Sequence, residues 1–133
     1  MVVEANKELV RRYFEELANQ GDLAVAAEIF APEAVAVMQQ FTTMLRTAFP
    51  DFQITIEDMI GENDKVAARF TASGTHLGPW HSPLGLLEPT GKRFEHEGVR
   101  LFRVAAGKLV DTWGGADTLR QLQQLGVLPS TIS

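Results

Sequence analysis

The spacing of the apolar residues changes near Pro50, and this change constrains the fold more than any other feature of the chain. Upstream, apolar residues recur on one side at helical spacing, as in Leu9, Val10, Tyr13, Phe14 and Leu17. Downstream, the segment FQITIEDMI alternates in the period of a β-strand. Helices followed by consecutive strands favour an α+β fold, in which a curved antiparallel sheet wraps over the helices.

Capping and breaking residues predict where the helices begin and end. Asn6 is a suitable N-cap for the first helix, Gly21 ends it, and Asp22 can cap the short apolar segment LAVAAEIF. Pro32 fits the first turn of a longer helix that Pro50 stops. A last helix, ADTLRQLQQLG, carries a stripe formed by Leu119, Leu122 and Leu125.

Three more segments are predicted to be strands. They are VAARFTASGTH after the turn GENDK, FEHEGVRLFRV, and LVDTW after the hairpin turn AAGK. The segment GPWHSPLGLLEPTG is predicted to be a long loop, and long loops in small domains are often functional. We find no repeat and no boundary, and therefore expect one domain over residues 1–133.

Composition excludes several classes of function. The 133 residues, 45% of them hydrophobic, suit one globular core. A net charge of -5 disfavours nucleic-acid and acidic membrane partners, and no apolar segment is long enough to span a bilayer. With no cysteine and three scattered histidines, we expect no metal site. We expect a cytoplasmic protein.

Alternation along FEHEGVRLFRV puts His96, Gly98, Arg100 and Phe102 on one face of a strand. We assign this face to the interior, because the opposite face begins with two glutamates. Arg100 would then require a carboxylate or an anionic ligand. In the alternative, His96 and Arg100 lie on the solvent face of the sheet, and the sequence leaves both readings open.

Other polar residues also have two interpretations. Asp111 shares a predicted face with Leu109 and Trp113, where it could form an ion pair with Arg100 or act as an acid. Asp117 directly precedes TLRQL and is predicted to cap that helix. His81, beside Trp80 in the long loop, suits a lid over a pocket.

The ordered segments resemble a known family. NKELVRRYFEELANQGDLAVAAEIFAPE, AFPDFQITIEDMIGENDKVAARFTASGTHLG, EPTGKR and FRVAAGKLVDTW with DTLRQLQQLG are similar to the SnoaL-like polyketide cyclases, or ester cyclases, of the nuclear transport factor two-like superfamily. The resemblance covers nearly the whole chain. It implies a cone-shaped α+β barrel with a deep apolar pocket, commonly in a homodimer. It also implies cofactor-free ring closure by aldol condensation, with an aspartate as acid/base.

Two departures from that family stand out. Gly114 occupies the position where the resemblance implies the catalytic aspartate, and Arg100 stands where relatives often carry a histidine or an aspartate. Between Phe30 and Val37 the chain also lacks the strand implied by the family. We expect a second chain or the long loop to cover the exposed edge, and therefore expect a homodimer that buries sheet residues.

The resemblance leads to three functional hypotheses. In the first, the protein is a cofactor-free enzyme that acts on a small hydrophobic carbonyl compound by proton abstraction or aldol-type cyclisation. Asp111 or His96 would be its catalytic acid/base group, and Arg100 would stabilise the oxyanion or enolate. Its expected ligand contacts are Phe70, His76, Trp80, Phe102 and Trp113. In the second it is a non-catalytic module that binds a small hydrophobic ligand, neutral or anionic, through Arg100. In the third it is a structural or dimerisation domain with a filled or collapsed pocket.

Overall fold

A computed structural model describes residues 2–129 of the protein. The described residues form four α-helices: α1 (Val2–Arg12), α2 (Val25–Ile29), α3 (Pro32–Ala48) and α4 (Thr118–Gln124). A π-helical segment, Tyr13–Asn19, continues α1. The strands are β1 (Gln53–Glu62), β2 (Lys65–Thr75), β3 (Trp80–Ser82), β4 (Gly85–Leu87), β5 (Arg93–Ala105) and β6 (Lys108–Ala116).

The sheet confirms the predicted α+β class. Strands β1, β2, β5 and β6 pair in that order, and every pair is antiparallel. The sheet curves around the N-terminal helices, while β3 and β4 form a separate two-stranded hairpin. The segment predicted to be a long loop therefore contains regular structure, with Trp80 paired to Leu87 and His81 to Leu86.

Two predicted helix caps are wrong. Asn6 lies inside α1, where it is buried and its Nδ2 donates to the carbonyl oxygen of Asn63 at 3.3 Å, so this side chain joins two elements. Helix α2 begins at Val25, and Asp22 accepts its N–H through the backbone carbonyl instead of the side chain. Gly21 does end the first helical segment, with a φ of 67°.

The core is an aromatic cluster between the π-helical segment and the sheet. Tyr13 and Phe14 each pack against Phe102, with ring centroids 5.5 and 5.9 Å apart. Phe14 also contacts Phe70 on β2 at 5.6 Å. Since Phe102 is completely buried, its ring belongs to the protein interior.

A β-bulge in β6 changes which residues face the core. The register shifts between Arg103 and Val104 of β5, so that Leu109 pairs with Val104 and Asp111 with Arg103. An additional residue, Val110, lies between them and interrupts the alternation. Leu109 is buried whereas Asp111 is exposed, and the prediction that these two residues share one face is wrong.

The chain enters α3 directly from a single bridge. Phe30 forms an isolated parallel bridge with Leu109, and the N–H of Ala31 donates to the carbonyl of Leu109 at 3.0 Å. Pro32 then begins α3, as predicted. Within residues 2–129, the segment between Phe30 and Val37 contains no β-strand.

Helix α4 closes one end of the sheet. Asp117 caps it as predicted, with Oδ1 accepting the N–H of Arg120 at 3.0 Å. Leu122 is buried, but Leu119 is 49% exposed and Gln121 is buried. The predicted leucine stripe is therefore wrong at Leu119, because the helix turns Gln121 inward.

Candidate functional site

A cavity of about 560 Å³ lies between the sheet and the helices. Most of its wall is apolar and includes Phe14, Phe41, Leu45, Phe52, Ile54 and Phe70. The polar side chains in the wall are Tyr13, His81, Ser82, His96, Arg100, Thr118 and Gln121. Among the described residues that line it, none is an aspartate or a glutamate. Its size and apolar wall are typical of a small-molecule site.

Strand β5 carries two polar side chains of the cavity, as the alternation predicted. His96 and Arg100 both line it, and Gly98 lies between them on the same face. Phe70 is the register partner of Gly98, and a Cβ atom at Gly98 would overlap the tip of the Phe70 ring. The missing side chain thus makes room for an aromatic ring between the two polar groups.

His96 is a buried, neutral imidazole in this wall. Its ring packs against Phe94 at 4.9 Å, and within residues 2–129 its Nδ1 has no hydrogen-bond partner. Burial lowers the pKa of His96, and the nearby Gln121 and Asp117 oppose this shift to a smaller extent. The ring is therefore uncharged at neutral pH, the form in which a histidine can accept a proton.

Arg100 has a hydroxyl partner in place of a carboxylate. Its Nη1 donates to Oγ1 of Thr112 at 3.2 Å, and no carboxylate of residues 2–129 lies within 4.0 Å of its guanidinium. Asp111 instead binds Arg103 at 2.8 Å on the opposite face of the sheet. The predicted pair of Arg100 and Asp111 is wrong, because the bulge at Val110 turns Asp111 outward.

Tyr13 is a cavity residue that the sequence did not single out. Its place in the apolar stripe of the first helix predicts a core residue, and in the π-helical segment its ring is both buried and part of the cavity wall. Burial raises the pKa of Tyr13, and the positive charge of Arg100 partly opposes this shift. The phenol therefore stays neutral at physiological pH and can donate a hydrogen bond.

The expected ligand contacts separate into two groups. Phe70 and Trp80 line the cavity, whereas Phe102 and His76 are fully buried outside its wall. The Nδ1 of His76 accepts the N–H of Thr90 at 3.2 Å, and this bond joins the two arms of the β3–β4 hairpin at their base. Burial lowers the pKa of His76.

Trp113 and Asp111 lie on the outer face of β6, away from the cavity. Trp113 is 46% exposed and pairs with Leu101, and Asp111 is the partner of Arg103. Their shared outward orientation follows from the same bulge. Neither residue lines the cavity, so neither the expected catalytic role of Asp111 nor the expected ligand contact of Trp113 has geometric support.

Gly114 lies opposite Arg100 but cannot carry a side chain into the cavity without a change of backbone. Its φ is 114°, which is unfavourable for residues other than glycine. A Cβ at this position would overlap the carbonyl oxygen of Val99 and lie 3.0 Å from the Cα of Arg100. An aspartate at position 114 would therefore require the backbone of β6 to move away from β5.

Comparison with known proteins agrees with this architecture. The family of SnoaL-like polyketide cyclases matches residues 8–125. The chain belongs to this family. A comparison with curated protein sequences found no significant match to this SnoaL-like chain.

Solved structures share the fold of this SnoaL-like protein over almost its full length. TsrD from Streptomyces laurentii is 25% identical, with a TM-score of 0.85, and the match covers 94% of this chain and 97% of TsrD. AclR from Streptomyces galilaeus is 26% identical, with a TM-score of 0.80 and coverages of 98% and 87%. IdmH from Streptomyces antibioticus is 29% identical, with a TM-score of 0.70 and coverages of 92% and 99%.

Two further features bear on the choice of function. No helix within residues 2–129 combines the length and the apolar character needed to cross a membrane. In the same part of the chain, no three histidine, aspartate or glutamate side chains are grouped as metal ligands would be. The ionisable side chains that line the cavity are Tyr13, His81, His96 and Arg100.

Proposed function

We propose that this SnoaL-like protein binds a small hydrophobic carbonyl compound in the cavity and transfers a proton on it without a cofactor. The observation that carries the proposal is His96, a neutral buried imidazole in an apolar wall that has no carboxylate among its described lining residues. In that wall His96 serves as the acid/base group, in place of the aspartate that the family implies.

The proton transfer assigns a role to each polar group. His96 removes a proton from the carbon next to a ketone, and the electrons of the broken C–H bond form an enolate. Arg100 and the neutral phenol of Tyr13 donate hydrogen bonds to the enolate oxygen. The enolate carbon then attacks a second carbonyl of the same molecule, a C–C bond forms, and the new alkoxide takes the proton back from His96.

The chemistry of His96 also limits the substrate. A histidine whose pKa is lowered is a weak base, so the C–H group must be acidified by two neighbouring carbonyls. The Cα atoms of His96 and Arg100 are four residues apart on one strand, which corresponds to about 13 Å. An extended compound with several ketone groups could reach both side chains. One of the similar structures, IdmH, is described as a candidate polyketide cyclase.

Enolisation of benzoylacetone, followed by the absorbance of its enol, tests this proposal. We expect the protein to accelerate the reaction beyond an equal concentration of imidazole, and His96→Gln to lower the rate about 100-fold or more. His81→Gln is the matched control, since His81 also lines the cavity, and it should retain most of the rate. Equal losses in both variants would refute the assignment of His96.

The absence of a carboxylate in the described cavity wall favours a second candidate function. Without a strong base, the cavity would serve as a non-catalytic binding module for the same class of compound. Saturable binding of benzoylacetone, with no acceleration of its enolisation, would identify this function in place of the first.

A homodimer formed through the outer face of the sheet is part of the proposed function. Val99 on β5 is 53% exposed and Trp113 on β6 is 46% exposed, so the outer face carries apolar side chains. Light scattering should show a dimer that Val99→Lys dissociates. Leu119→Lys is the control, because Leu119 is similarly exposed but lies on α4. A monomer in the unsubstituted protein would refute the dimer.

A further inference from the structure

The charges around the cavity are unbalanced. The chain has 17 acidic residues and a net charge of -5, yet none of the acidic residues it places in the described structure lines the cavity. Several other arginines hold carboxylates: Arg12 binds Glu16, Arg69 binds Asp58, and Arg103 binds Asp111. Arg46 instead donates to three backbone carbonyl oxygens. Arg100 lines the cavity, and within residues 2–129 the only hydrogen-bond partner of its guanidinium is the neutral hydroxyl of Thr112.

Arg103 provides a comparison within the same strand. It lies on the outer face of β5, where its Nε and Nη2 donate to one carboxylate oxygen of Asp111 at 3.0 and 2.8 Å. Arg100, three residues earlier, faces the cavity, and its register partner is Gly114, which has no side chain. The sheet therefore neutralises the solvent-facing guanidinium and leaves the cavity-facing guanidinium without a counterion.

Neighbouring polar groups do not compensate this charge. The pKa of Tyr13 is raised by burial, so its phenol is uncharged at neutral pH. The pKa of His96 is lowered by burial, so its ring is uncharged as well. Arg100 is half-buried, and the planar set of donors of its guanidinium matches a carboxylate, which would bind this charge more strongly than a neutral group would.

We infer that the natural ligand of the cavity is a hydrophobic carboxylic acid, bound as its carboxylate by Arg100. This inference rests on the proposed function and narrows its substrate class to oxo acids. A guanidinium has five N–H donors and Arg100 uses one on Thr112, so it can bind a carboxylate and still donate to an enolate oxygen. The corresponding esters and amides carry no negative charge, so we expect them to bind poorly.

Calorimetric titration with naphthalene carboxylate and with its neutral amide tests the inference at neutral pH. The two probes have almost the same shape, so their difference reports the charge. We expect the carboxylate to bind at least about 10-fold more tightly than the amide, as expected for hydrogen bonds to a charged group. Equal affinities, a preference for the amide, or binding of neither probe would overturn the inference.

Three variants locate the preference within the molecule. Arg100→Gln should remove it and change the affinity for the amide less than about 3-fold, whereas Arg100→Lys should retain part of it. Arg103→Gln, on the outer face, should retain all of it. A preference that survives in a folded Arg100→Gln protein, or is lost in Arg103→Gln, would overturn the inference, and the comparison of probes in the unsubstituted protein applies even if a variant does not fold.

The outcome is separable from that of the proposed function. A preference for the carboxylate without enolisation of benzoylacetone would support the inference and remove the catalytic role of His96. Enolisation that depends on His96, without a preference for the carboxylate, would support catalysis and overturn the role of Arg100 in recognising an anion.

Discussion

Substitution of Gly98 by alanine is the sharpest test of how the cavity is built. The Cβ of the new residue would overlap the Phe70 ring and lie 2.8 Å from the carbonyl oxygen of Gly115 and 2.9 Å from the Cα of Ala116. The ring can rotate, but the other two atoms belong to the backbone of β6, which is paired with β5. The two strands would have to separate.

The expected cost of Gly98→Ala follows from this crowding. Overpacking of a well-filled interior costs about 1–3 kcal/mol of the free energy of unfolding. Gly115→Ala is a matched control from the neighbouring strand, because a Cβ there meets no atom within 4 Å. Since alanine restricts the unfolded chain more than glycine, Gly115→Ala should be neutral or stabilising by up to about 1 kcal/mol.

Urea unfolding followed by circular dichroism measures both variants. Gly98→Ala should lower the urea midpoint without a change in the slope of the transition, and Gly115→Ala should not lower it. In a Phe70→Leu background, the loss caused by Gly98→Ala should be smaller, because the shorter side chain removes one of the three overlaps. A Gly98→Ala protein as stable as Gly115→Ala would refute the close packing of Phe70 over Gly98.

Three other perturbations test separate parts of the structure. Gly114→Ala should lower the urea midpoint more than Gly85→Ala, because both glycines have a positive φ, of 114° and 102°, but only the Cβ at position 114 collides with a β5 carbonyl. Phe102→Ala should cost about 3–5 kcal/mol in unfolding free energy, whereas Trp113→Ala in the monomer should cost far less, because only Phe102 is buried. Because burial lowers the pKa of His96 from 6.5, the unfolded chain binds that proton more readily, so stability is complete above pH 6.5 and is lost as the pH falls toward the lowered value. The urea midpoint of His96→Gln should therefore depend less steeply on pH in this window, and an unchanged slope would contradict the burial of a neutral ring.

Local features of the chain were sufficient for the fold class and for one face of the site. The change from helical spacing to alternation near Pro50 predicted helices followed by an antiparallel sheet, and the structure confirms this order. Along β5, regular alternation correctly placed His96 and Arg100 on the inner face, because no bulge interrupts the pairing of β5 with β2. The cap at Asp117 is equally local, since it depends on a single bond to Arg120.

The other half of the site was decided by contacts between strands that are distant in sequence. One additional residue at Val110 reverses the face of Asp111, and no pattern within β6 reveals it, because a bulge is defined by the pairing with β5. As a result, Asp111 forms its ion pair with Arg103, and Arg100 has no carboxylate partner among the described residues. Tyr13 likewise reaches the cavity because the π-helical segment and the curved sheet enclose it together, and the periodicity of its own helix shows only that the residue is buried.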